Sequence, residues 1–169
     1  YEAWDMLAGR LHPELGGSLS HLDVVGINYY WTNQWELGGE VSADGIISPL
    51  SDDDGRRLPL SKLVAAVADR YGHDVLISET SHYGTSRARW LKTLGEELRV
   101  LQARGFRLRG ICLYPILGMT DWHEPGKWIP MGLWDCDDCS PPGTVQRKIN
   151  RPMERELRAL MAAQQSIRA

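Results

Sequence analysis

Phenylalanine and cysteine are almost missing from this 169-residue chain, which has one Phe and three Cys. An odd, sparse set of thiols argues against a scaffold held by disulfides. No apolar run approaches the roughly 18 residues that a membrane-spanning helix needs, and no leader-like segment opens the sequence. The net charge of −3 comes without any basic cluster. We therefore expect a cytoplasmic protein with no nucleic-acid partner and no membrane partner.

Tryptophan and tyrosine are plentiful where phenylalanine is scarce, with seven Trp and six Tyr. Aromatic rings that carry a polar atom suit surfaces that are half apolar and half hydrogen-bonding. Sugar-binding clefts are surfaces of this kind, because pyranose faces stack on indole while their hydroxyls need donors and acceptors. Tryptophan is also an ordinary core residue, so the composition favours a carbohydrate ligand and leaves a purely structural use open.

Three short apolar runs predict three buried strands, at 23–27, 74–78 and 109–115. Helical patterns lie at 1–11, 60–70, 87–104 and about 145–167, the last with Pro152 as an alternative start. Strands that alternate with helices predict a parallel sheet with right-handed crossovers. We therefore expect a single α/β domain over residues 1–169.

Polar side chains follow each predicted strand, and the carboxyl ends of parallel strands are where α/β enzymes place their chemistry. Glu79 follows the second strand, and Asn28 and Tyr30 follow the first. A long loop, 32–57, has the length that usually marks a functional segment. The structural alternatives are that Glu79 caps the next turn or pairs with an arginine, and that Tyr30 is a core tyrosine.

The same segments resemble motifs of family 1 glycoside hydrolases, the β-glucosidase-like enzymes. Residues 23–30 resemble the "D-F-I-G-I-N-Y-Y" strand, and 77–81 resemble the "I-T-E-N-G" strand. Residues 113–122 resemble "W-S-L-L-D-N-F-E-W", and 132–135 resemble "F-G-L-Y-Y-V-D". The resemblance implies the last three βα units, strands six to eight, of a (β/α)8 barrel whose N-terminal strands are not in this chain.

The resemblance also implies an activity, the retaining hydrolysis of β-glycosides without a cofactor or metal. Glu79 would be the catalytic nucleophile, and Tyr30 would hydrogen-bond it. A carbohydrate substrate would contact Asn28, Asp121 and Trp122. His82, close to the nucleophile, would contact substrate or remain a surface turn residue. Asp121 stands where the family has Glu, and Thr80 and Ser81 replace its Asn-Gly, which leaves the sugar open.

Retaining hydrolysis needs a second carboxyl group roughly 5–5.5 Å from the nucleophile. In the family this acid/base comes from an "N-E-P" strand end, which does not precede Asp23 here. Glu124, in a His-Glu-Pro sequence, is interpreted as a loop residue at the rim. We therefore expect the chain to be inactive alone and to associate with the N-terminal part of the barrel or with itself. The alternative function is a non-catalytic, carbohydrate-binding relative.

Cys136 and Cys139 form a lone C-x-x-C in an acidic loop. One such pair supplies two of the four ligands that a structural zinc requires. Acidic neighbours also raise a thiol pKa, which argues against a reactive cysteine. Incidental free thiols are the favoured interpretation, and a small metal or redox module is a distant alternative.

Overall fold

A computed structural model describes residues 1–42, 45, 47–72, 74–106, 108–124, 126–136 and 146–168, with side chains as far as residue 162. Within these ranges the chain forms a three-stranded parallel sheet in the order β1-β2-β3. The strands are β1 (Val24–Asn28), β2 (Asp74–Thr80) and β3 (Leu108–Leu113). The three predicted strands and their parallel arrangement are confirmed.

In the described part of the chain, four α-helices accompany the sheet: α1 (Glu2–Leu7), α2 (Leu60–Tyr71), α3 (Arg87–Ala103) and α4 (Arg151–Arg168). Short 3-10 turns lie at Pro13–Leu15, Leu19–His21, Trp31–Asn33 and Gly84–Ser86. Helix α2 ends where the periodic pattern stops, because Gly72 adopts φ +68° and its N–H bonds to the carbonyl of Ala68. The first predicted helix is shorter than expected and ends at Leu7.

The core lies between one face of the sheet and the helices. Helix α3 contributes a buried leucine stripe with helical spacing: Leu91, Leu94, Leu98 and Leu101. Each such side chain stabilises the fold by about 1.5–3 kcal/mol through its removal from water. From the strands, Val25, Val75 and Ile77 pack into the same core. Helix α4 packs on α3, and Leu157 and Leu160 extend this core toward β3.

Helix α1 is fixed to α2 by one carboxylate. Asp5 accepts hydrogen bonds from Arg70 Nε and Tyr71 Oη, both at 2.9 Å. Arg70 holds the pKa of Asp5 below its usual range. A six-residue helix is too short to be stable by itself, so this contact and the packing of Trp4 against Tyr71 hold it in place.

Two small antiparallel hairpins follow β3, a feature that the sequence pattern did not predict. Strand β4 (Met119–Thr120) pairs with β5 (Trp128–Ile129), and β6 (Trp134–Cys136) pairs with β7 (Arg147–Ile149). The last helix therefore begins at Arg151, close to the alternative start at Pro152 and not at about residue 145. Residues 147–149 are extended, because their backbones complete the β6 ladder before Asn150 caps Met153 at the beginning of α4.

The other face of the sheet is open within the described part of the chain. Val24 is 39% exposed on β1, and Cys112 is exposed on β3. Gly26 and Gly110 lie on this face, where they adjoin Ser78 and Leu76 of β2. Parallel sheets are normally covered on both faces. None of the described helices is long and apolar enough to span a membrane.

Candidate active site

Strand β2 carries one extra residue directly before Glu79. The consecutive residues Ile27 and Asn28 of β1 pair with Ile77 and Glu79 of β2. Ser78, which lies between them, therefore has no pairing partner on β1. The same bulge appears on the other side, where the three-residue step from Ile77 to Thr80 matches a two-residue step on β3. A bulge changes the direction in which later side chains point. Here Ser78 and Glu79 both lie on the open side of the sheet.

Glu79 is joined to β1 by its side chain and by its backbone. The hydroxyl of Tyr30 donates a hydrogen bond to Glu79 Oε2 at 2.9 Å, and the Tyr29 amide donates to the Glu79 carbonyl at 2.8 Å. Burial and the hydrogen bond to the carboxylate raise the pKa of the Tyr30 phenol well above its usual range. The phenol therefore remains a neutral donor, and its hydrogen bond to Glu79 adds no charge to the site.

Asn28 stands next to this pair. It is the backbone partner of Glu79 across the β1–β2 ladder, and its Oδ1 accepts a hydrogen bond from Ser78 Oγ at 2.7 Å. The asparagine side chain is exposed on the open face. Three predicted residues, Asn28, Tyr30 and Glu79, are thus brought together at adjoining strand ends.

Side chains on the face of the sheet that packs against the helices anchor these strand ends. Trp90 of α3 donates through Nε1 to the buried Thr80 Oγ1 at 2.8 Å. The Tyr29 ring stacks on Trp90, with centroids 5.5 Å apart. Tyr29 therefore packs in the core, whereas Tyr30 contacts Glu79. This arrangement fixes the backbone on both sides of the carboxylate.

His82 is buried, at 6% exposure, and makes no hydrogen bond to Tyr30 or Glu79. Its ring stacks on Trp31 with centroids 4.5 Å apart, and its Nδ1 accepts a hydrogen bond from the Tyr83 amide at 2.8 Å. The other ring nitrogen, Nε2, is 3.6 Å from Asp52 Oδ2 in the long loop. Burial lowers the pKa of His82. The contacts of His82 are thus structural ones that tie the loop to the strand end.

A cleft of about 360 Å³ lies beside His82, between the start of α2, helix α3 and the long loop. Its polar lining includes Asp52, Arg57 and Glu97. Neither Tyr30 nor Glu79 lines it. The predicted long loop thus forms one wall of a cleft that is separate from the strand-end pair.

Asp121 and Trp122 lie in the β4–β5 hairpin. The carboxylate of Asp121 accepts hydrogen bonds from the amides of His123 and Glu124 at 2.8 and 3.3 Å, and these lower its pKa. Its hydrogen bonds are therefore made within its own turn. Trp122 is 75% exposed, and Glu124 pairs with Lys127 at 2.6 Å on the surface. No hydrogen bond, ion pair or ring contact joins these described loop residues to Glu79, and their predicted roles toward a substrate stay predictions.

A buried arginine that the sequence pattern did not single out anchors the loops around Glu79. Arg87 donates to the carbonyl of Gly84 at 2.7 Å and to that of Gly132 at 2.5 Å, and it pairs with Asp135 at 2.8 Å. The turn after Glu79 is further joined to the hairpins by Ser81 Oγ, which donates to the Met131 carbonyl at 2.9 Å. The sequence contained one indication of this role. A cation in the first turn of a helix is unfavourable next to the helix dipole, so an arginine at position 87 indicates a compensating interaction elsewhere.

The thiol pair is only partly within the described residues. Cys136 is partly buried in β6 and accepts a hydrogen bond from Arg147 at 3.3 Å, while Cys139 lies outside them. Among the described side chains, no group of three or more His, Cys, Asp or Glu is arranged to hold a metal ion.

No protein-family model matches this sequence, and no protein of curated function matches it either. Its fold, in contrast, is similar to solved β-glucosidase structures. A family 1 β-glucosidase from Thermotoga maritima has a TM-score of 0.57 at 17% identity, over 82% of this chain and 34% of its own. The fold is similar to part of the barrel of this β-glucosidase.

Other solved structures agree. The Thermotoga maritima β-glucosidase in complex with castanospermine has a TM-score of 0.61 at 17% identity, over 95% of this chain and 40% of its own. The β-glycosidase from Thermosphaera aggregans has a TM-score of 0.58 at 18% identity, over 83% of this chain and 32% of its own. The chain thus spans about two-fifths or less of the structures it resembles. The resemblance in fold that the motifs indicated is confirmed.

Proposed function

We propose that residues 1–169 form one unit, strands six to eight of a (β/α)8 glycosidase barrel, and supply the nucleophile for retaining hydrolysis of β-glycosides. The observation that carries this proposal is the hydrogen bond of 2.9 Å from Tyr30 to Glu79. It holds an ionisable carboxylate on the open side of the sheet, at the strand ends where barrel enzymes place their chemistry. The similarity in fold to part of the solved β-glucosidase structures supports this placement in a barrel.

The chemistry follows from a carboxylate held in this way. One Glu79 oxygen attacks the anomeric carbon while the glycosidic C–O bond breaks, which gives a covalent glycosyl-enzyme. Tyr30 donates to the other oxygen and fixes the rotamer of the side chain. The leaving oxygen takes its proton from an acid that we assign to a strand outside this chain. The same group then activates water, which releases the sugar with its original configuration.

The open sheet supports the assignment to a larger barrel. Strands β1 and β3 each have a free edge in the described sheet, and the face that carries Val24 and Cys112 has no described helix against it. Unpaired strand edges and an uncovered parallel sheet are unfavourable in water. We propose that the other barrel strands, in the same chain or in a separate polypeptide, cover this face. In their absence, we expect this chain to self-associate through it.

The decisive variant is Glu79→Gln in the completed barrel. We expect turnover of aryl β-glycosides to fall at least about a thousandfold with the fold intact, because the amide cannot act as the nucleophile. Glu96→Gln, on the exposed side of α3, is the matched control. A 2-fluoro glycoside should add its mass to the peptide that contains Glu79. Full activity in Glu79→Gln, with no labelled peptide, would reject the assignment.

The second candidate is a carbohydrate-binding relative without catalysis. The observation in its favour is Trp122, which is 75% exposed in the β4–β5 hairpin. An exposed indole offers a face on which a pyranose ring stacks, and this contact needs no catalytic carboxylate. Calorimetric binding of a β-glucoside to the completed barrel, without any turnover, would favour this candidate over hydrolysis.

A further inference from the structure

Ser78, the extra residue of the β2 bulge, makes a hydrogen bond to the side-chain oxygen of Asn28. A serine hydroxyl is the only possible donor when it meets an amide oxygen, so the 2.7 Å contact has Ser78 Oγ donating to Asn28 Oδ1. The Asn28 Nδ2 group, with its two N–H donors, must then point the other way. Among the described residues no protein atom accepts a hydrogen bond from Asn28 Nδ2.

The free donors lie next to the proposed nucleophile. Asn28 is the backbone partner of Glu79, and both side chains are on the open side of the sheet. A molecule whose reacting carbon meets Glu79 would place its neighbouring oxygens within reach of this amide. An amide presented by its NH2 end donates to such oxygens, whereas the flipped amide would present an acceptor instead.

Gly26 makes the arrangement possible. It lies on the same face of β1, two residues before Asn28. A Cβ at this position would lie 3.0 Å from Ser78 Oγ and 3.3 Å from Ser78 Cβ. The second distance concerns an atom that is fixed to the β2 backbone, so the serine cannot move aside freely. Because Gly26 has no side chain, there is room for the Ser78 hydroxyl to reach Asn28.

We propose that Ser78 is a positioning residue that holds the Asn28 amide with its NH2 group toward a substrate oxygen beside Glu79. The part of this inference that concerns substrate rests on the proposed function, and the contact between Ser78 and Asn28 does not. The consequence is a specific pattern. Loss of the Ser78 hydroxyl should weaken substrate binding through Asn28 and leave the Tyr30–Glu79 pair intact.

The contact can be tested without activity. This chain has three asparagines, Asn28, Asn33 and Asn150, so labelling it alone with [15N]asparagine and adding the other barrel strands unlabelled gives few side-chain amide signals. The oxygens of Asn33 and Asn150 accept bonds from the backbone amides of Tyr30 and Met153, which makes them internal references. Asn28→Asp assigns the signal. In Ser78→Ala we expect the Asn28 pair alone to shift and broaden, and Ser78→Thr should restore it.

The role toward substrate is tested by steady-state kinetics of the completed barrel. Ser78→Ala should raise KM about three- to tenfold, the size of one ordinary hydrogen bond, with a smaller change in kcat. Ser78→Thr should recover KM, and Gly26→Ala should raise it as Ser78→Ala does. Asn28→Ala should remove the difference between serine and alanine at position 78.

The outcomes separate the two proposals. An unchanged Asn28 signal in Ser78→Ala, or an equal effect of alanine and threonine, would overturn the role of Ser78. A shifted Asn28 signal with KM unchanged would also overturn it, because the amide orientation would then not matter to substrate. Absence of hydrolysis in the wild-type barrel would count against the proposed function alone. The labelled amides would still decide whether Ser78 orients Asn28.

Discussion

The hydroxyl of Tyr30 donates a 2.9 Å hydrogen bond to Glu79 Oε2 across the ends of two neighbouring parallel strands. These residues are 49 positions apart in the sequence, and the β2 bulge turns the carboxylate to the side on which the phenol lies. The contact couples the two side chains. The pKa of the Tyr30 phenol should therefore change when Glu79 is substituted.

The ionisation of Tyr30 should report on Glu79. Burial and the carboxylate raise the pKa of Tyr30, so its phenol should ionise after the exposed tyrosines in an alkaline titration followed by ultraviolet absorbance. Glu79→Gln removes the negative charge, which should move this pKa downward because an adjacent anion disfavours tyrosinate. Tyr30→Phe identifies the signal by its loss. An upward shift or no shift in Glu79→Gln would contradict the contact.

Arg87 should be important for stability. It is 6% exposed and holds two backbone carbonyls together with the Asp135 carboxylate. Arg87→Met should lower the free energy of unfolding by about 3 kcal/mol, because it leaves a partly buried charge without its partner. Urea denaturation measures this value.

A matched control for Arg87 is Arg89→Met. Arg89 also pairs with an aspartate, at 2.7 Å, but its side chain is 61% exposed. Exposed pairs contribute less than about 1 kcal/mol. Adding Asp135→Asn to Arg87→Met should recover part of the loss, since the unpaired charge disappears. Equal losses for Arg87→Met and Arg89→Met would show that burial of the pair has no influence.

His82 should make stability dependent on pH. Its pKa is lowered by burial, so as the pH falls below about 6.5, the ordinary value for histidine, the unfolded chain takes up the proton first. The free energy of unfolding should therefore decrease as the pH falls from about 7.5 to about 5.5. His82→Gln should make this decrease smaller, and the same substitution at exposed His21 is the control. A decrease that is unchanged in His82→Gln would refute the prediction.

The 169-residue chain should be inactive alone and should self-associate. Its sheet has two open edges and one open face in the described structure, and the proposed acid is not in this chain. Light scattering after gel filtration measures the association, and aryl β-glycosides measure the activity. Addition of the other barrel strands should yield a single complex with turnover. Turnover by the chain alone, lost in Glu79→Gln, would mean that the acid is local, and Glu124 would be the first residue to substitute.

The sequence by itself was sufficient to predict the alternation of strands and helices, and the three strands with their parallel order. Hydrophobic periodicity has a local cause, because a buried strand must be apolar over its own length and a surface helix along one stripe. The leucine stripe of α3 and the strand before Glu79 are examples. The motifs around Asn28, Glu79 and Asp121 also indicated a β-glucosidase fold, because each motif is a short contiguous segment that can be recognised from its residues alone.

The tertiary structure decided how the predicted residues meet. The bulge at Ser78 is invisible in the sequence, because it depends on the register of β2 against two neighbouring strands. Without it, strict alternation would place Glu79 on the face opposite Ser78. The hairpins after β3 were missed for a similar reason, because strands of two or three residues are too short to show periodicity. Local pattern therefore determined the elements, and long-range pairing determined which side chains reached Glu79.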